Sequence, residues 1–208
     1  MRLERADDRW RLIGEADVVL GEVDAVVLAA GWGSAALMDG FDQTPRLSPV
    51  RGQADWIDGD VTVHPMAWGG YAVPTGQGVL FGATHDRGGT DTAQREDDSA
   101  RNLATLEARL PVLAERVAAA GPIQSRAAIR ATTPDRLPVA GALDDGLYVL
   151  GGLGSRGFCV APLLGEHIAA LILGQPSPLP RDLAARVSPR RAAVLTDALA
   201  SSSPTRAR

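Results

Sequence analysis

The chain has 208 residues, 45% of them hydrophobic, and a formal net charge of -4. That is enough apolar material for a packed core in one large or two small domains, and it excludes a broadly basic nucleic-acid surface while leaving room for local clusters. The single cysteine, Cys159, excludes an intramolecular disulfide and a cysteine-built zinc site, and no apolar run is long enough to span a bilayer.

The first residues, Met1 to Asp8, are charged and lack the apolar segment of a signal peptide, so a cytoplasmic protein is expected. Trp10 to Leu20 reads as two short strands turning at Gly14-Glu15. Val23 to Ala30 is a continuous apolar run, the pattern of a parallel-type strand covered on both faces. It leads into the small-residue loop Gly31-Trp32-Gly33-Ser34, and Ala35 to Met38 fits a helical turn. From Arg46 the rhythm changes to short strands separated by turn residues: Pro49 to Ile57, Val61 to Pro65, Gly70 to Pro74 and Val79 to Ala83. This spacing predicts an antiparallel sheet.

Asp91 or Thr92 is the expected cap of a helix with acidic Glu96, Asp97 and Asp98 in its early turns and Leu103, Leu106 and Leu110 along one stripe. Pro111 opens a second helix, which Gly121-Pro122 stops. Ile123 to Ala131 reads as a strand carrying Arg126 and Arg130, followed by the turn-rich segment Thr132 to Pro138. Leu147 to Leu150 has the length of a buried strand. The glycine-dense loop Gly151 to Gly157 follows it, and then a helix from Ala161 to Leu173 with Pro162 in its first turn. Cys159, among apolar neighbours, reads as a buried, inert thiol. Ser201 to Arg208 reads as a frayed tail.

A strand feeding a small-residue loop and then a helix start offers free backbone N–H groups and a helix dipole to an anion. Gly151 to Gly157 fits that role, and it fits equally a tight turn with no ligand. The apolar strands near residues 26 and 149 suggest one α/β layer, with the antiparallel strands and helices between them inserted as a second layer. The fold class expected is therefore α+β. His64 and His167 are far apart in sequence, and no metal site is expected.

Five segments, in this order, carry a resemblance: Val50 to Gln53, Gly70 to Pro74, Leu80 to Thr84, Ile129 to Pro138 and Gly151 to Gly157. They resemble FAD-dependent amine oxidoreductases of the D-amino-acid-oxidase/glycine-oxidase (DAO) type. Gly82 to Arg87, and Leu147 to Gly157 followed by Ala161-Pro162-Leu163-Leu164, resemble the oxidoreductase half of the MnmC family of tRNA 5-methylaminomethyl-2-thiouridine biosynthesis. The likeness covers residues 10 to 190, approximately.

The resemblance implies a partial α/β flavin-binding layer with an inserted antiparallel-sheet substrate domain, the C-terminal half of a DAO-type fold. It implies a remnant of the FAD-binding domain over residues 1–45, the substrate domain over 46–138, a return to the FAD-binding domain over 139–180, and a C-terminal helix and flexible tail over 181–208. It implies FAD as cofactor and oxidation of a C–N bond next to a carboxylate. The substrate would be 5-carboxymethylaminomethyl-uridine in tRNA, or a small amino-acid-like molecule such as glycine or a D-amino acid.

The same resemblance implies site residues. Arg130 would pair with the substrate carboxylate, for which a planar guanidinium fork is suited; its other reading is a surface arginine at a strand end, paired with Asp135 or simply solvated. Tyr71 would donate to that carboxylate or serve as a core tyrosine. His85 would lie near the same pocket, or be a partly exposed loop histidine. Arg51, Gly52 and Gln53 would lie by the flavin ring, or form only a strand with a glycine bulge, and Ala30-Gly31 would lie near the phosphate or ribose region. Gly152, Gly154, Ser155, Arg156 and Gly157 would bring amides and a cation to the flavin's polar edge, where positive charge favours the anionic reduced ring. The strand–GxGxxG–helix segment that holds the pyrophosphate in such proteins is not found in residues 1–208. A further chain supplying that half, or a non-catalytic fragment, is therefore also expected. Arg186, Arg190 and Arg191 form the local basic cluster available to tRNA, or a solvated helix face.

Overall fold

The computed structural model describes residues 1–41, 46–61 and 63–191. The chain divides into two compact units, one of Met1–Ser48 with Ala131–Arg208, the other of Pro49–Arg130.

The first unit opens with a three-stranded antiparallel sheet of β1 (Arg2–Ala6), β2 (Arg9–Ile13) and β3 (Val19–Val23). β1 falls in the charged start that carried no strand signal. Its outward residues Arg2 and Glu4 pair with each other at 2.9 Å, which leaves little apolar alternation to read. The expected turn at Gly14-Glu15 contains a single 3-10 turn, Glu15–Asp17. The apolar run from Val23 is shorter as a strand than its composition suggests: Val23 closes β3, and only Val26–Leu28 forms β4. β4 is not covered on both faces, because Val27 is 39% exposed. A 3-10 turn, Gly31–Gly33, and the short helix α1 (Ser34–Leu37) follow.

The second unit holds β5 (Ser48–Asp58), β6 (Met66–Ala67), β7 (Tyr71–Pro74), β8 (Gly78–Gly82), β9 (Asp86–Arg87), the helices α2 (Glu96–Arg109) and α3 (Pro111–Ala120), and β10 (Gln124–Thr132). The sheet order is β10-β5-β8-β7-β6, with β9 also on β5. Pairing is antiparallel from β5 through β6, with Trp56 opposite Leu80 and Leu80 opposite Val73. The two-residue period sends Ile57, Ala72, Val79 and Phe81 to one face, where they pack on Leu106, Leu113 and Val117 of the helices. The strand expected over Val61 to Pro65 does not form: Val63 to Pro65 is irregular, Thr62 lies outside the described residues, and Met66–Ala67 is the edge strand.

α2 begins a turn later than a cap at Asp91 or Thr92 would place it. The cause is β5. The Arg51 guanidinium donates to the carbonyls of Asp91 and Ala93, and the Gln53 side-chain oxygen accepts the Arg95 N–H at 2.9 Å. The backbone of this segment is thus committed to the strand and is free to turn helical only at Glu96.

The chain then returns to the first unit with β11 (Val139–Asp144), β12 (Leu147–Gly151), α4 (Gly157–Ile172) and α5 (Arg181–Val187). β12 lies between antiparallel β11 and parallel β4. Leu28, Val139, Leu147 and Val149 join Trp10 and Met38 in one core cluster; Ala140, Leu164, Ile168 and Val187 form another. α4 starts at Gly157, so Pro162 lies in its second turn and leaves the Phe158 carbonyl without that N–H donor. The helix buries Leu164, His167 and Ile168, and Cys159 lies off that stripe. The thiol is therefore exposed and not buried. Arg191 is buried as well: its fork takes Asp135 at 2.7 and 2.9 Å, and this contact holds the Asp135 carboxyl down at about 2. It is a brace within the unit, so it does not join Arg186 and Arg190 in a solvated basic cluster. Residues 192–208, which include the expected tail, lie outside the described residues.

Candidate active site

β5 has two chemically different faces. Arg51, Gln53 and Asp55 point towards α2. The Arg51 guanidinium is ion-paired with Asp98, and Arg101 binds the other oxygen of that carboxylate. Asp98 is held below the usual carboxylate range: burial opposes its charge, and the hydrogen bonds from Arg101 and Arg51 outweigh that. Asp55, fully buried, accepts from Ser99 at 2.9 Å, Ser125 at 2.6 Å and Asn102 at 2.6 Å. Gln53 completes the network through Ser99 and the Arg95 carbonyl, both at 2.9 Å. The side chains of Arg51 and Gln53, expected beside a flavin ring, are spent on this network.

The other face is open. Gly52, Ala54 and Trp56 alternate along β5, and Arg126, Ala128 and Arg130 alternate along β10. With Leu80 they line a groove of about 370 Å³. The Arg130 guanidinium lies directly over Gly52: a Cβ there would stand 1.9 Å from its Nη1. Nη1 donates to the Thr84 carbonyl at 3.2 Å, and Thr84 is itself fixed because its hydroxyl accepts the Gln53 N–H at 2.9 Å. Arg130 makes no ion pair among the described residues, and its alternative partner Asp135 is taken by Arg191.

Tyr71 joins this face. It pairs with Gly82, which pairs with Ala54, so the three form a row across the sheet. Burial is the largest influence on the Tyr71 phenol and raises its pKa; the positive charge of Arg130 pulls in the opposite direction. The structure therefore brings Arg130, Tyr71 and Gly52 together. His85 is exposed after β8.

The other expected positions lie in the first unit, in loops at the carboxyl ends of the parallel pair β4 and β12, where ligands of α/β sheets bind. The Ala30 N–H donates to Ser34 Oγ at 3.0 Å, and Gly31 has a positive φ of 58° with open space where a side chain would stand. Gly152 is different: at φ 63° it packs so closely that a Cβ would meet Thr133 at 2.8 Å, which makes it a turn residue. Gly154, at φ 56°, donates its N–H to the Ala131 carbonyl at 2.9 Å. Ser155 and Arg156 are exposed, and Arg156 donates to the Arg136 carbonyl at 2.9 Å. Gly157 begins α4. Amides, a hydroxyl and a guanidinium, with no carboxylate between residues 151 and 159, suit the polar edge of an anionic cofactor such as FAD.

Residues 2–171 match the family model described as FAD dependent oxidoreductase, DAO. The chain belongs to the DAO family. Its curated relatives include the tRNA 5-methylaminomethyl-2-thiouridine biosynthesis bifunctional protein MnmC of Caulobacter sp. strain K31, 55% identical over 194 residues, and that of Caulobacter vibrioides, 53% identical over 182 residues. These matches cover 91% and 88% of this chain but only 31% and 30% of those proteins. Among solved structures, glycine oxidase from Geobacillus kaustophilus aligns with a TM-score of 0.77 at 24% identity, over 91% of this chain and 51% of that one. Iminodiacetate oxidase from Chelativorans sp. BNC1 aligns at 0.74 and 23% identity, over 90% and 52%. The DAO-type α+β fold is thereby established for this chain, and FAD is the cofactor of its family. No helix among the described residues is long and apolar enough to cross a membrane, and none of their His, Cys, Asp and Glu side chains cluster as a metal site.

Three features were not anticipated as site components. Trp56 and Arg126 line the groove with Arg130, and only the alternation on β5 and β10 could have signalled them. The polar network behind β5 had no local signal, because its partners are more than 40 residues apart in sequence.

Proposed function

We propose that this chain supplies the substrate-binding sheet and part of the cofactor-binding layer of a flavoenzyme that removes the carboxymethyl arm of 5-carboxymethylaminomethyl-uridine in tRNA. The observation that carries this reading is the Arg130 guanidinium, braced over Gly52 by the Thr84 carbonyl, with no carboxylate partner among the described residues and with Tyr71 on the same face. Identity above half to MnmC proteins over most of the chain supports the tRNA substrate.

In this reading Arg130 binds the arm's carboxylate and Tyr71 donates a hydrogen bond to it. Together they fix the methylene between carboxylate and nitrogen, from which a hydride leaves as the nitrogen lone pair forms a C=N bond. Water then hydrolyses the imine to the aminomethyl nucleoside and glyoxylate. FAD, when bound, supplies the two-electron acceptor. Gly31, Ser155, Arg156 and Gly157 would hold its polar edge, and Ala30, Gly152 and Gly154, the N–H groups of Ala30 and Gly154 being already bonded, would shape their loops. Gly52 offers its backbone on the substrate side, while Arg51 and Gln53 lock β5 from behind. A complete flavin site also needs a strand–GxGxxG–helix segment, from the same polypeptide or a partner, and the cytoplasm is the compartment such tRNA chemistry implies.

The test is glyoxylate release from tRNA bearing the modified uridine by the flavin-loaded protein. Arg130→Ala should lower kcat/KM by about 2–5 kcal/mol of transition-state stabilisation while flavin content is retained. Glyoxylate from glycine but none from the tRNA would favour a small-molecule oxidase instead.

A further inference from the structure

We propose that Arg126 and Trp56 form a nucleotide subsite beside the carboxylate anchor, with Trp56 receiving the pyrimidine ring and Arg126 the phosphate of the same nucleotide. The inference rests on the reading of Arg130 as that anchor. It names which part of the substrate each end of the groove takes.

Arg126 and Arg130 are four residues apart on one strand, so their Cα atoms are separated by about 13 Å and their side chains leave the sheet on the same side. Both line one groove. Neither has an acidic partner among the described residues. The next acid on this face, Asp58, is hydrogen-bonded by Gln124 at 2.8 Å and not by Arg126. Two uncompensated guanidinium groups at the ends of a groove select a ligand that is anionic at both ends.

The floor is Gly52, beneath Arg130, with Ala54 and Ala128, side chains too small to fill it, and Trp56 and Leu80 form its apolar wall. Trp56 is half-buried and sits opposite Leu80 across the ladder, where cross-strand pairs pack. An indole lining the same groove as a guanidinium is a surface on which a base stacks. Glycine has one carboxylate and no ring, and would leave Trp56 and Arg126 unused. A pyrimidine nucleotide with an aminoacetate arm has a carboxylate at one end and its ring and phosphate towards the other, which matches Arg130 over Gly52 at one end of the groove and Trp56 with Arg126, each four residues away along its strand.

The experiment is calorimetric titration of the 208-residue chain with 5-carboxymethylaminomethyl-uridine and with its 5′-monophosphate. The monophosphate should bind tighter by about tenfold, the worth of one charge-assisted hydrogen-bonded contact. Arg126→Gln should abolish that advantage and leave nucleoside affinity unchanged. Trp56→Leu should weaken both ligands and leave their ratio intact. Arg130→Gln should weaken both, again at constant ratio. A phosphate advantage that survives Arg126→Gln, or none in the unaltered chain, overturns the subsite while leaving the carboxylate anchor standing. Nucleoside affinity untouched by Arg130→Gln overturns the anchor instead, and no binding of either ligand overturns both.

Discussion

The two faces of β5 are made by alternate residues of one strand, yet they use polar groups in opposite ways. Towards α2, Arg51, Gln53 and Asp55 are buried and every side chain is answered by a partner. Away from it, Gly52 and Ala54 carry almost nothing, and Arg130 and Arg126 present cations without anions among the described residues. Buried charge that is fully partnered fixes structure and is costly to disturb. Charge that the fold holds still but does not neutralise is available to a ligand. The same residue type, arginine, does both jobs on opposite faces of one sheet, and its partners are what separate them.

The comparison can be broken first on the buried side. Asp98→Ala leaves the Arg51 guanidinium, 1% exposed, without its main anion. The loss should be about 3–5 kcal/mol of folding stability, read as a lower denaturant midpoint. A change as small as that of a surface substitution would show that the network is dispensable.

On the open side the expected effect is on binding alone. Gly52→Ala puts a methyl where the Arg130 Nη1 now lies. The guanidinium is the flexible partner and gives way, so folding stability should change by less than about 1 kcal/mol. Affinity for the carboxylate-bearing nucleoside should fall about tenfold with the loss of one oriented charged contact. Equal losses in stability and affinity would make Gly52 a packing residue.

The smallest expected effect sharpens the link between Tyr71 and Arg130. The cation lowers a phenol pKa that burial raises. Removing it in Arg130→Ala should therefore move the Tyr71 titration to higher pH, followed by tyrosinate absorbance. With only two tyrosines in the chain, Tyr148→Phe isolates the signal. An unmoved titration would separate the two residues.

Much of the open face could be read in advance because it depends on local pattern. The alternation along β10 places Arg130, and the pairing of β7 with β8 through short turns places Tyr71. The helix-covered face could not be read that way. The late start of α2 is imposed by Arg51 and Gln53 from about 40 residues away, against a local capping signal that is intact at Asp91, whose side chain accepts the Ala93 N–H at 2.8 Å. The exposure of Cys159 escaped composition for a related reason. Its neighbours are apolar, but burial on α4 follows helical period and not neighbourhood. The expected strand from Val23 was cut where β3 took Val23 as a partner for Trp10.

Arg130 has one further consequence. Its only hydrogen-bond partner among the described residues is a neutral peptide carbonyl, so any small anion in solution is a competitor for the same fork. Sulfate or acetate at buffer concentration should therefore act as a competitive inhibitor. Kinetic measurements made in such buffers would understate affinity for the carboxylate, and the buffer anion becomes a ligand in its own right.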